Sequence, residues 1–150
     1  MLTKNGKAIL KYMNDNGYAH GYTLKQTTGA DVTISSLTAN NRSTFYGSIY
    51  MNVGSGTTAP TKNDYTLETV ESGLTVVSSS STAGQAPAYA QDYILSYART
   101  YKNSTASPIT ISEVGLLMSY DSKNYLITRD TFTPVTIQPD EVYTLSVTIG

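Results

Sequence analysis

Any chemistry in this chain would have to run through very few side chains. His20 is the only histidine and there is no cysteine. Multi-histidine metal sites and Ser-His-Asp arrangements therefore converge on one imidazole, while disulfides, thiolate zinc sites and cysteine nucleophiles are excluded. His20 sits in Gly17-Tyr18-Ala19-His20-Gly21-Tyr22, a turn-like stretch, and reads most simply as a loop residue. A glycoside hydrolase needs two carboxyl groups about 5–10 Å apart, but the eleven acids here are scattered. Asp64, Asp92, Asp121 and Asp130 fall at strand ends, where turn chemistry accounts for them; Glu68 and Glu71 read as solvated charge. Gly54-Ser55-Gly56-Thr57-Thr58 looks like a phosphate cradle but lacks the lysine and the following helix of a P-loop, since Pro60 and a second strand come next. Asp31, Asp64 and Asp140-Glu141 lack calcium-loop spacing. Asn41-Arg42-Ser43 and Asn103-Ser104-Thr105 match the glycan acceptor pattern. The expectation is a non-enzyme with no catalytic residue, no cofactor, no metal and no small-molecule substrate.

The tyrosines are the more informative set. Tyr93, Tyr97 and Tyr101 share one face of an alternating segment with Leu95 and Arg99. They fit a sheet face packed by rings whose hydroxyls reach the rim. They fit equally an aromatic contact surface, since Tyr and Arg are enriched at the centres of interfaces. Tyr93, Tyr97, Arg99 and Tyr101 are therefore the candidate interface. A carbohydrate-stacking surface is the weaker alternative in a chain without tryptophan.

The elements that must position these residues are mostly strands. The chain has 150 residues, a length suited to one domain. It carries 23 Thr, 17 Ser and 13 Tyr against two Phe, a composition that favours a pleated, half-buried backbone. Ten basic residues balance eleven acidic ones, which leaves no electrostatic footprint for nucleic acid. The longest apolar run near the start, Ala8-Ile9-Leu10, is far short of a secretory core, and no run approaches a membrane span. Synthesis in the cytoplasm, with no membrane partner, is expected.

One helix is predicted over the first fourteen residues. Thr3 is its cap, Ile9 and Met13 lie on one face, and Gly17 stands at the stop. Gly6 inside it costs about 1 kcal/mol relative to Ala, so the helix needs docking. From there alternation marks strands at 45–53, 91–102 and 143–149, with shorter ones at 21–25, 31–37, 73–78, 124–128 and 131–137. In 109–118 the apolar set moves from odd to even positions. That change of phase predicts a β-bulge at Gly115, with Glu113 turned inward. The stretch 54–64 reads as a loop, and Ser78 to Pro87 as a long, low-complexity surface loop. Eight or nine strands without helical crossovers predict an all-β, mainly antiparallel β-sandwich with a short N-terminal helix. Its parts would be the helix (1–17), an unassigned extension (18–44) and the sandwich core (45–150).

Several stretches together resemble small structural proteins of tailed bacteriophages. They are the opening Met1-Leu2-Thr3-Lys4-Asn5-Gly6-Lys7, the strand and loop from Ile49 to Thr61 followed by Asp64 and Leu67, and the "EVGL" strand Ile111-Ser112-Glu113-Val114-Gly115-Leu116. The "L-x-x-R-x-x-F-x-P-V" element Leu126 to Val135 and the closing strand Tyr143 to Ile149 complete the set. The resemblance covers roughly 45–150 and the first few residues. It implies a virion component of tail, collar or head-fibre type that acts in multiple copies through other virion proteins and copies of itself. A capsid decoration protein is one alternative, and a receptor- or glycan-binding module another. Glu113 and Arg129 are the charged pair of the two most characteristic strands. If those strands are neighbours, the two side chains can meet as a bidentate carboxylate–guanidinium pair.

Overall fold

One helix, eight strands and the turns between them make up the residues that the computed structural model describes, namely 1–14, 22–34, 49–84, 94–120 and 122–149. His20, Asn41, Asp92, Tyr93 and Asp121, together with the stop at Gly17, lie outside the described residues. The helix, α1 (Lys4–Asn14), starts where its cap predicts. Thr3 Oγ1 accepts the Gly6 N–H at 3.0 Å, and the Lys7 N–H closes the first turn on Thr3 O at 3.0 Å. The same hydroxyl lies 2.6 Å from Leu126 O and 2.9 Å from Ile127 O, to which it donates. The cap thus also docks the helix. Gly6 has a packing reason: a Cβ there would fall 2.6 Å from Leu2 Cδ1 and against the Ile127 carbonyl. The residue that weakens the isolated helix is the one that lets it approach the sheet.

The strands are β1 (Tyr22–Lys25), β2 (Asp31–Ile34), β3 (Ile49–Gly54), β4 (Leu74–Gly84), β5 (Ile94–Asn103), β6 (Ile109–Tyr120), β7 (Lys123–Ile137) and β8 (Val142–Ile149). They form a β1-β2 hairpin, a three-stranded sheet of order β3-β6-β7 and another of order β4-β5-β8. The β1–β2, β3–β6, β4–β5 and β5–β8 pairs are antiparallel, and β6 turns directly into β7 through Ser122, which is left-handed at φ 57°. The fold is all-β, mainly antiparallel, with one short N-terminal helix, consistent with a sandwich-like class.

The chain divides into two compact units, Met1–Val70 with Ser112–Thr133, and Glu71–Ile111 with Pro134–Gly150. The first contains α1, β1 to β3 and most of β6 and β7. Its interior includes Leu24, Met51, Leu116, Met118, Tyr125 and Leu126, each at most 1% exposed. Leu67, Leu117 and Leu126 pack together with Tyr50 against them. The second contains β4, β5 and β8 and buries Tyr97, Tyr101, Asn103 and Ile137.

Three expectations are corrected. The bulge at Gly115 is absent from the β3–β6 pairing, whose register runs unbroken from Ile49↔Met118 through Asn52↔Gly115 to Gly54↔Glu113. Residues 111–118 are all buried. Both faces of this stretch are covered, so apolar side chains occupy both parities and the alternation fades. Gly115 is there for close approach, since a Cβ would meet Leu126 Cδ1 at 2.7 Å and Leu67 Cδ2 at 2.8 Å. A register shift does occur in β4, between Val76 and Ser78, leaving Val77 as the extra residue.

The second correction concerns the serine run, which is strand and not loop as far as Gly84. It pairs with β5 from Ser78↔Thr100 to Gly84↔Ile94. Backbone pairing holds it, and the small hydroxylated side chains of Ser78, Ser79 and Ser80 are exposed; composition alone suggests a loop. Third, 124–128 and 131–137 are one strand. Pro134 is accommodated because β7 lies at the edge of its sheet and the proline is exposed.

Candidate functional site

The feature that gathers most of the singled-out residues is a buried carboxylate. β6 places Glu113 opposite Gly54 of β3, in a segment covered on both sides, and its side chain is fully buried. A charge there is tolerated only if every lone pair has a donor, and here each does. Oε1 accepts the Thr69 N–H at 2.8 Å and the Gly56 N–H at 3.2 Å. Oε2 accepts the Glu68 N–H at 3.1 Å and Arg129 Nε at 2.8 Å. Three of the four donors belong to the backbone of one loop, residues 55–69. The loop closes on itself through the Gly54↔Val70 bridge and the Ser55 N–H to Thr69 O bond of 2.9 Å. Ser112, next to Glu113, donates from Oγ to Gly56 O at 2.9 Å.

β7 brings Arg129 alongside, as the neighbouring-strand expectation requires, but the bidentate pair is corrected. Only Nε reaches Glu113. NH1 donates to Asp64 Oδ2 at 2.8 Å and NH2 to Glu68 Oε2 at 3.3 Å. The guanidinium fans over three carboxylates because Nε points at β6 while NH1 and NH2 point at two parts of the loop. Its side chain is 4% exposed, against 19% for Asp64 and 41% for Glu68.

A local turn sets Asp64, and a contact across the loop sets Glu68. Asp64 accepts the Thr61 N–H at 2.9 Å and the Thr61 hydroxyl at 2.7 Å. Glu68 does the same for Thr58, at 2.9 and 2.8 Å. Burial pushes the Asp64 carboxyl up, but the Thr61 bonds and Arg129 outweigh it and hold it below its ordinary value. Glu68 is held below its ordinary value mainly by the Thr58 N–H and hydroxyl, with a smaller contribution from Arg129. For Arg129, burial acts against the charge, yet Asp64 and Glu113 prevail and its pKa is raised.

The resemblance pairs Glu113 with Arg129, while the residue pattern makes Glu68 a solvated charge and Asp64 a turn residue. Asp64 keeps its turn role and adds the ion pair. The Thr61-x-x-Asp64 spacing is a legible turn signal, whereas the Thr58–Glu68 contact spans ten residues and only closure of the loop brings it together. Arg129 is held at the backbone as well: its N–H donates to Met1 O at 3.0 Å, and Leu2 bridges Thr128. Lys4 N–H donates to Lys62 O at 2.8 Å, so the start of the helix also holds the loop.

Two members of the candidate tyrosine interface, Tyr97 and Tyr101, are corrected in the second unit. Tyr97 is 7% and Tyr101 3% exposed, so these rings are interior packing and not a presented surface. Arg99 is half-buried and hydrogen-bonds the Tyr101 hydroxyl. Burial still raises the Tyr101 pKa against the lowering influence of Arg99. Tyr93 lies outside the described residues. The acceptor pattern at Asn103 has a structural use instead. That side chain is fully buried, its amide donates to Ser107 O at 2.8 Å and Ile137 O at 2.9 Å, and its oxygen accepts from the N–H and hydroxyl of Thr105. An amide engaged this way folds the 104–108 turn and is closed to glycan transfer.

An open pocket of about 380 Å³ in the first unit is lined by Lys4, Lys25, Asp31, Asp64 and Tyr65, among others. Its polar groups already engage one another. Lys25 lies 4.0 Å from Asp31 and 5.2 Å from the Tyr65 ring centre, and the Asn5 amide makes two hydrogen bonds to the Lys25 backbone. Among the described residues no group of His, Cys, Asp or Glu is disposed to hold a metal ion, and no helix is long and apolar enough to cross a membrane. Compared with models of protein families, with curated proteins and with solved structures, the chain has no significant match.

Proposed function

We propose that this chain is a non-enzymatic structural subunit of a tailed-phage virion. It would be made in the bacterial cytoplasm, act in multiple copies in the tail or at the head–tail junction, and work through contacts with other virion proteins and with itself. One observation carries the reading. The stretches that resemble phage structural proteins are distant in sequence, yet the loop after β3, Asp64, the Glu113 strand and the Arg129 strand close on one buried cluster. Residues so engaged hold a loop in one shape, and a preordered loop lowers the entropic cost of docking a neighbour.

The test is to purify the particles, identify their proteins by mass spectrometry and place this chain in a particle reconstruction. A ring or tube subunit would appear in a small cyclic multiple and cover more than one interface of about 1,600 Å². A copy number that follows the shell lattice would move the chain to the capsid surface as a decoration protein. Absence from washed particles would refute the proposal.

A further inference from the structure

We infer that β8 is a docking edge on which a second copy of this chain adds its own β8, antiparallel, across a two-fold axis. Native sheets protect their edges with prolines, bulges, charges or covering segments. Among the described residues the other edges carry such devices. β7 has Pro134 and is bridged at Thr128 by Leu2, β3 is bridged at Gly54 by Val70, and β4 has the register shift at Val77. The β1–β2 hairpin ends in the Lys25–Asp31 charge pair.

Among the described residues β8 has none of these. Val-Tyr-Thr-Leu-Ser-Val-Thr-Ile contains no charge, no proline and no glycine, and it pairs with β5 without a shift from Lys102↔Val142 to Leu95↔Ile149. Its exposure alternates strictly: Tyr143, Leu145, Val147 and Ile149 are half-buried, and Val142, Thr144, Ser146 and Thr148 are exposed. The only charge at its end of β5, Lys102, is neutralised by Asp140 at 2.8 Å.

The strand is complementary to itself, which is why a second copy is the occupant. With Ser146 on the two-fold axis, Tyr143 falls opposite Ile149, Leu145 opposite Val147, and Thr144 opposite Thr148. Apolar side chains then meet apolar ones on the half-buried face, hydroxyls meet hydroxyls on the other, and no like charges oppose. The three-stranded sheet becomes six-stranded, and its half-exposed apolar row is continued by its partner. This inference rests on the assembly reading and names the surface that reading lacks.

The experiment uses the full chain in sedimentation and mass photometry over a concentration series, with Ser146→Lys, Ser146→Glu and their equimolar mixture. Ser146 is exposed, so circular dichroism should match the unsubstituted chain; Thr144→Lys on the same face serves if it does not. The unsubstituted chain should dimerise. Each charged variant should weaken the dimer by roughly tenfold or more, and the mixture should restore it, because lysine then faces glutamate. A monomer at every concentration, or a dimer indifferent to both charges, overturns the inference. Open-ended polymers also overturn it, since they would mean β8 meeting a different edge. The particle experiment is independent: a dimer absent from virions sinks the virion proposal alone, and a virion subunit whose contacts ignore β8 sinks this one alone.

Discussion

Removing the Glu113 carboxylate is the most demanding test of the buried cluster. Glu113→Ala leaves the Gly56, Glu68 and Thr69 N–H groups and Arg129 Nε without their acceptor. A buried donor left unsatisfied costs about 1–3 kcal/mol. Glu68 and Thr69 are exposed residues whose N–H groups can turn to water, whereas Gly56 is buried. Arg129 keeps Asp64 and Glu68, so its charge is not stranded. Two interior donors, the Gly56 N–H and Arg129 Nε, are then left without a partner, so the expected loss is about 2–6 kcal/mol. Urea unfolding followed by tyrosine fluorescence measures it, with limited proteolysis as a local readout: cleavage should appear within 55–69 while unfolding is still incomplete. Arg129→Ala should cost a similar amount, and the double variant less than the sum of the two, because the substitutions share a bond. Shifts below about 0.5 kcal/mol for both single variants would refute the reasoning, since that is the scale of ordinary surface changes.

Other outcomes follow from the same structure. Gly115→Ala should destabilise by about 1–3 kcal/mol through overpacking against Leu67 and Leu126; a neutral urea midpoint would mean that the two leucines yield and that close approach does not require the glycine. Thr3→Ala should cost about 1–2 kcal/mol and reduce helical signal, since one hydroxyl both caps α1 and bonds the strand. Asn103→Ala should lower the melting temperature, and the unsubstituted chain expressed with a eukaryotic secretion leader should gain no glycan mass at Asn103. Stability should fall in acid. Asp64 and Glu68 are depressed in the folded state from ordinary values of 3.8 and 4.5, so the unfolded chain binds more protons there. Their contribution is complete above those ordinary values and is lost as the pH falls through the lower folded ones. Asp64→Asn should flatten the drop in urea midpoint between about pH 5 and pH 3.

Much of this protein is determined by local residue order. A β-branched and aromatic composition with period-two segments is enough to specify an all-β chain, because alternation assigns each strand a covered and an open side. Thr3 marks the helix start because a hydroxyl beside the first free N–H groups is a local event. The Glu113–Arg129 encounter came from the resemblance, which singles the two out as the charged pair of its most characteristic strands; β7 carries Lys123 and Asp130 as well, so lone charge alone does not select Arg129. Tertiary structure decided the rest. Glu113 meets four donors because residues 56, 68, 69 and 129 converge on it, and no spacing along the chain encodes that convergence. Covering both faces of 111–118 erased the alternation that suggested a bulge at Gly115. Pairing with β5 turned the serine run into strand, and burial took Tyr97 and Tyr101 out of reach of any partner. Local order can assign a side chain to a face; which faces become covered depends on what the rest of the chain lays against them.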